Sequence, residues 1–196
     1  YVRHATQNMV PWTLAAPIAE NVSVEAASMC GMGAISMHSI RRGNFTPGEK
    51  VVVFGMGILG QLQDQMLRAW GCRTLVLDRH DEHLDLARRM GCSNALHTER
   101  DDVESAIAAF APGGVDGVLV NVNHQPPATD QAADWCREKG RLVLVGGGEF
   151  IQVKRDQIFA KELDILISRA GGPGRYDDQY ELHGQELPAG YVRWPE

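Results

Sequence analysis

From about residue 50 onward, apolar residues gather in short blocks, separated by stretches where they recur every third or fourth position. The blocks Val51–Phe54, Thr74–Asp78, Asn94–His97, Val115–Val122, Arg141–Val145 and Leu163–Ser168 predict six strands. The first, fourth and fifth are nearly continuous apolar runs, which suits parallel strands covered on both faces. Helical spacing fills the intervals: Ile58–Trp70, Glu82–Met90, Val103–Phe110, Ala128–Glu138 and Lys154–Lys161. Alternating strands and helices predict an α/β fold, a doubly wound six-stranded parallel sheet with helices on both faces.

The ends of the chain lack this regularity. Residues 1–22 read as irregular or strand-like, punctuated by Pro11 and Pro17. A helix capped by Ser23 is expected to run to Ile40, and Thr46-Pro47-Gly48-Glu49 is a turn. After Arg169 come the loop Gly171-Gly172-Pro173-Gly174 and a polar tail without a clear period. The expected division is therefore residues 1–22 as a remnant of another domain, 23–170 as the sheet domain, and 171–196 as an extension packing toward that other domain. The chain opens on Tyr1 rather than an initiator Met, so a longer parent is expected.

Composition narrows the class. With 44% hydrophobic and 22% charged residues, the chain is able to bury a core. A formal charge of −6, with Arg41-Arg42, Arg88-Arg89 and Arg193 scattered, argues against nucleic acid or an anionic membrane as partner. No apolar run reaches the roughly 18–20 residues that span a bilayer. Cys30, Cys72, Cys92 and Cys136 lie far apart, as suits reduced thiols and a cytoplasmic location.

The chemistry concentrates at Gly55-Met56-Gly57-Ile58-Leu59-Gly60, directly after the first strand. In a Rossmann fold, the first glycine of such a turn permits a tight bend and the second admits a pyrophosphate. The third lets helix pack on strand. Free N–H groups and about half a positive charge at the helix N-terminus favour the anion. Asp78 ends the second strand, where a carboxylate accepts both ribose hydroxyls of an adenosine and repels a 2′-phosphate. NAD is accordingly favoured over NADP, although Arg79 is able to stack on adenine or tolerate a phosphate. A methyltransferase binding S-adenosylmethionine stays open on the glycine turn; the absence of an acid in Val120-Asn121-Val122-Asn123 counts against it.

Gly48-Glu49-Lys50-Val51 through Gly60, then Asp78, then Leu84-x-x-Ala87-x-x-x-Gly91, resemble the medium-chain dehydrogenase/reductase family, which includes the zinc-containing alcohol dehydrogenases. Pro17 through Ser23 resemble the segment that leaves the family's catalytic domain. The end, Gly172 to Asp177 and Gly190 to Trp194, is similar to a bacterial subgroup fused to an inositol-dehydrogenase-type half. The resemblance implies hydride transfer between an alcohol carbon of a small alcohol, polyol or sugar-type substrate and a nicotinamide ring.

It also implies roles for particular residues. Gly55, Gly57, Ile58, Leu59 and Gly60 would cradle the cofactor, and Asp78, Arg79 and His83 would surround its adenosine. Asn121 and Val122 would line that side, while Val145, Gly146 and Gly147 approach the carboxamide and Ser168 and Arg169 close the end. Cys30 lies 25 residues before Gly55, where many zinc members place a ligand, but an ordinary buried cysteine is the commoner reading. The family's Gly-His-Glu segment and first zinc cysteine do not occur in these 196 residues, so zinc is expected only with the catalytic domain. Asp64 and Gln65 make the first helix more polar than usual and read as solvent-facing. A homodimer through the 163–168 edge follows from the family's habit. The other class of function is a dinucleotide sensor or scaffold without catalysis.

Overall fold

The computed structural model describes residues 6–122, 126–146 and 154–186. Six parallel strands, β1 (Lys50–Phe54), β2 (Arg73–Asp78), β3 (Ala95–His97), β4 (Val115–Val120), β5 (Cys136–Val145) and β6 (Asp164–Ser168), form one sheet in the order β3-β2-β1-β4-β5-β6. The predicted doubly wound sheet is the observed one. The order reverses between β1 and β4, which opens a crevice at their carboxyl ends.

Alternation within each strand builds a core on either face. Val52, Phe54, Leu75, Leu77, Val118, Val120, Leu142 and Leu144 face α5 (Val103–Phe110), α6 (Pro126–Trp135) and α7 (Arg155–Lys161). Val51, Val53, Val76, Leu119, Val143 and Val145 face α2 (Cys30–Gly43), α3 (Ile58–Ala69) and α4 (Asp81–Arg89). The nearly continuous apolar runs of β1, β4 and β5 are what two covered faces require.

Three local expectations are corrected. The helix predicted from Ser23 to Ile40 is two helices, α1 (Val24–Ala27) and α2. Ser23 does cap the first, its Oγ accepting from the Ala26 amide at 3.1 Å. The break comes where Ser28 Oγ donates to the Glu25 carbonyl at 2.6 Å and the Met29 amide bonds back to Ala26. A serine hydroxyl competing for backbone carbonyls is a common helix disruptor. Next, the helix expected to continue to Glu138 stops at Trp135, and Cys136–Glu138 open β5. Lys161 Nζ donates to the carbonyls of Ala133, Asp134 and Cys136 at 3.1, 2.7 and 2.8 Å, satisfying the orphan acceptors of that end. Finally, no strand occurs among the described residues before β1. Trp12–Leu14 form a 3₁₀ turn, and the tail contributes the short helix α8 (Asp178–Glu181). Thr13 Oγ1 donates to the Tyr180 carbonyl and Tyr180 Oη to the Thr13 carbonyl, both at 3.1 Å, so the two ends of the described chain pack together.

Candidate functional site

At the crevice, Gly55 leaves β1 with φ of 95°, and a Cβ there would stand 3.0 Å from Val122 Cγ1. Only glycine combines that dihedral with so close a neighbour. The Gly55 amide donates to the Leu77 carbonyl and the Asn121 amide to the Phe54 carbonyl, each at 2.8 Å, which ties the ends of β2 and β4 to the turn. At Gly60 a Cβ would fall 2.1 Å from the Gly55 carbonyl oxygen, so α3 packs directly on the turn. Gly57 differs. A Cβ there meets nothing within 4 Å, and its φ of −63° suits any residue. Among the described residues, neither the backbone nor the packing requires glycine at 57. Gly57 is also the N-cap of α3 and has no side chain to occupy the helix's free amides.

Asp78 closes the far side. Its Oδ2 accepts from the Met56 amide at 2.6 Å and lies 3.2 Å from His83 Nδ1. Its Oδ1 accepts from the His80 amide at 2.9 Å and lies 3.0 Å from His80 Nδ1. Burial opposes ionisation, but the two backbone amides and the two imidazoles together hold the carboxyl below the usual carboxylate range. The ligand-capable atoms of Asp78, His80 and His83 all lie within 4.8 Å of one another. Nδ1 of each ring lies within hydrogen-bonding distance of a different carboxylate oxygen, so the trio forms one connected cluster.

Below the turn runs a buried polar chain. Ser39 Oγ donates to the Ser36 carbonyl at 2.6 Å and therefore accepts from Gln63 Nε2 at 2.8 Å. That fixes Gln63 Oε1 toward Asn121, whose Nδ2 donates to it at 2.7 Å. Asn121 Oδ1 is buried and has no partner among the described residues.

These elements enclose a cleft of ≈ 640 Å³. Gly55, Gly57, Ile58, Leu59, Gly60, Asp78, Arg79, His83, Asn121 and Val122, all singled out in the sequence, line it together. Phe54, His80, Thr98 and Ala128 line it too and were not anticipated. His80 had a signal that was available: it stands two residues past the acid, where a strand end meets a helix start.

Other sequence candidates lie elsewhere. Val145 is buried at the end of β5, paired in register with Ser168, whose Oγ is buried without a partner among the described residues. Gly146 follows with φ of 89°. Arg169 packs its guanidinium 4.1 Å from the Tyr176 ring. None of these four is among the residues lining the cleft. Gly147 and the Gly190–Trp194 motif fall outside the described residues.

Cys30 is exposed at the start of α2, where a buried cysteine was the commoner expectation. Among the described residues it belongs to no trio of His, Cys, Asp or Glu with converging ligand atoms. The described side chains thus do not assemble a zinc set around it. Asp64 is corrected as well: it is buried, with Oδ1 accepting from Thr74 Oγ1 at 2.6 Å and Oδ2 from Arg68 Nε at 3.1 Å. Gln65 is only partly exposed, its Nε2 donating to the Gln61 carbonyl. No helix among the described residues is long and apolar enough to cross a membrane.

Comparison with known proteins places this geometry. Residues 58–183 match the family described as zinc-binding dehydrogenase. The chain is 28% identical to L-idonate 5-dehydrogenase of Vitis vinifera over 96% of its own length and 52% of that protein's. It is 26% identical to sorbitol dehydrogenase of Halalkalibacterium halodurans over 82% of its length and 48% of that protein's. The chain spans about half the length of the curated relatives it matches. Among solved structures, an alcohol dehydrogenase of E. coli CFT073 in complex with NADH superposes with a TM-score of 0.71 at 25% identity. That match covers 78% of this chain and 46% of the other.

Proposed function

Because the chain belongs to the zinc-binding dehydrogenase family, we propose that it is the nicotinamide-dinucleotide-binding part of an alcohol or polyol dehydrogenase. Gly57 carries the reading. It is a glycine that neither its dihedrals nor side-chain packing among the described residues demands, at the N-terminus of a 12-residue helix and lining the cleft. A pyrophosphate against the open amides is the partner that requires a missing Cβ there.

The residues present fit the cofactor. The amides at the start of α3 would hold the phosphates, with Asp78 and Arg79 at the adenosine ribose. Asn121 and Val122, directly after β4, would line the adenosine side as well. The bound nicotinamide exchanges hydride with an alcohol carbon; this chain's residues bind and orient it. Productive transfer also needs a substrate held near van der Waals contact with the ring. We assign that task to a catalytic domain outside the sheet, toward which residues 1–22 and 171–196 would pack. Zinc, if used, belongs with that domain, since the described residues gather no ligand set around Cys30.

Two finer assignments go with this reading. The family match and the free edge of β6, where Ile167 is half-exposed, support a homodimer formed by pairing those edges. Static light scattering at micromolar concentration should give twice the chain mass; a monomer would remove the dimer alone. Four reduced, unpaired cysteines support a cytoplasmic site of action.

Calorimetric titration with NAD, NADP and S-adenosylmethionine tests the main reading. Saturable binding of a nicotinamide dinucleotide, weakened at least tenfold by Asp78→Ala, is the expected result. Binding of S-adenosylmethionine alone, or of none of the three, would sink it. A sensor without catalysis is distinguished in the full-length parent, by whether polyols generate the near-ultraviolet absorbance of reduced nicotinamide.

A further inference from the structure

An ionised carboxylate offers about four lone-pair sites for hydrogen bonds. At Asp78 all four are directed at protein groups: the amides of Met56 and His80, and Nδ1 of His80 and His83. To accept a ribose diol, the carboxylate must have two of these sites released. The backbone amides are fixed by the turn and by the start of α4. The imidazoles are not, their side chains being 46% and 39% exposed. Reading the ribose is therefore coupled to the state of two histidines, whose rings lie 5.1 Å apart.

Their charge decides what the ribose end presents. With both rings neutral, Asp78 brings a negative charge that repels a 2′-phosphate. With both protonated, two positive charges stand within 3.2 Å of its oxygens, and Nε2 of each ring becomes an N–H donor. The ribose end then turns from anion-repelling to anion-accepting. Arg79, also lining the cleft, adds to this.

The charged groups on α4 nearest in sequence are Asp81, Glu82 and Asp85. Asp81 is paired with Arg100 and Asp85 with Arg88. His97 ends β3, and Glu99 and Arg100 follow it. From α3 the group facing His83 is uncharged, Gln61 Nε2 donating to its carbonyl at 2.7 Å.

We propose that His80 and His83 are specificity-determining residues that make the choice between NAD and NADP depend on pH. The site selects NAD when the rings are neutral and admits the 2′-phosphate of NADP when they are protonated. This rests on the cleft holding a nicotinamide dinucleotide, as argued above.

The test is calorimetry with NAD and NADP at about pH 8.5 and about pH 5.5, bracketing imidazole titration, on the wild type and on His80→Gln/His83→Gln. Glutamine keeps a neutral N–H for Asp78 and loses the charge. In the wild type, the ratio of the NADP to the NAD dissociation constant should fall with pH about tenfold more than in the double variant, the linkage of one pKa unit. The variant supplies the baseline, because the 2′-phosphate itself titrates near about pH 6. NADP binding to the wild type near neutrality should also take up protons, read from heats in buffers of different ionisation enthalpy, and NAD binding should not. If the double variant fails to fold, His83→Gln carries the same comparison with a smaller effect. An identical pH dependence in wild type and variant, with NAD still binding, overturns this proposal alone. Failure of both dinucleotides to bind the wild type at either pH overturns it together with the reading of the cleft.

Discussion

The Met56 amide donates to Asp78 Oδ2 at 2.6 Å, so the acid at the end of β2 also clasps the glycine turn at the end of β1. Its ionisation is linked to folding. Asp78 sits below the usual carboxylate range in the folded chain, so its stabilising contribution is present above the unfolded pKa of about 4 and is lost as pH falls through the folded value. Asp78→Asn should thus be less stable than the wild type at neutral pH, with the gap closing below about pH 4. Urea denaturation across that range checks this, and a gap that persists at low pH refutes it.

Gly57 and Gly60 should separate binding from folding. Gly57→Ala introduces a Cβ into open space, and should cost no more than about 1 kcal/mol, the loss of a good N-cap. Its dinucleotide affinity should fall at least tenfold. Gly60→Ala drives a Cβ against the Gly55 carbonyl and should cost about 1–3 kcal/mol of stability. Thermal melts and calorimetry on both variants decide the matter, and equal stability losses would contradict the assignment.

Asp64 joins α3 to β2 through Thr74 and also holds Arg68. Asp64→Ala leaves a hydroxyl and a guanidinium without their acceptor. Because Arg68 still reaches solvent and the Met90 carbonyl, a loss near about 3 kcal/mol is expected. Asp64→Leu with Thr74→Val removes both buried partners together and should recover part of that loss. A double variant no better than Asp64→Ala would show that packing, rather than polarity, sets the cost.

The thiols should differ sharply in reactivity. Burial pushes Cys72 up to about 11 and Cys136 up to about 12, and raises Cys92. Cys30 is exposed. An aromatic disulfide reagent near pH 8 should therefore titrate Cys30 rapidly in the native chain and all four thiols after denaturation. Rapid labelling of Cys136 in the native state would contradict the packing of β5 beneath α6.

How far the sequence carries depends on the range of the interaction involved. Val51–Phe54 running into Gly55-x-Gly57-x-x-Gly60 and the acid at Asp78 are signals within a single strand–turn–helix unit. They were enough to predict the glycine turn and its acid. The sheet and its parallel sense came from the alternation of apolar runs along the chain, and His83, Asn121 and Val122 from the family resemblance. Helix boundaries at Ser28 and Trp135 were not legible in the same way. One depends on a hydroxyl choosing a carbonyl over solvent, the other on Lys161 reaching back 25 residues to Cys136.

The amino-acid pattern by itself determined which faces are apolar and where the chain must turn, because burial periodicity and glycine dihedrals are local properties. Only the tertiary structure decided that Asp64 points inward and that Cys30 stands without converging ligands among the described residues. It also decided that His80 and His83 close over the acid that was expected to be open. A polar side chain is neutral in meaning until its partners are placed. Those partners come from other strands and helices, brought within hydrogen-bond reach by the packing of the sheet.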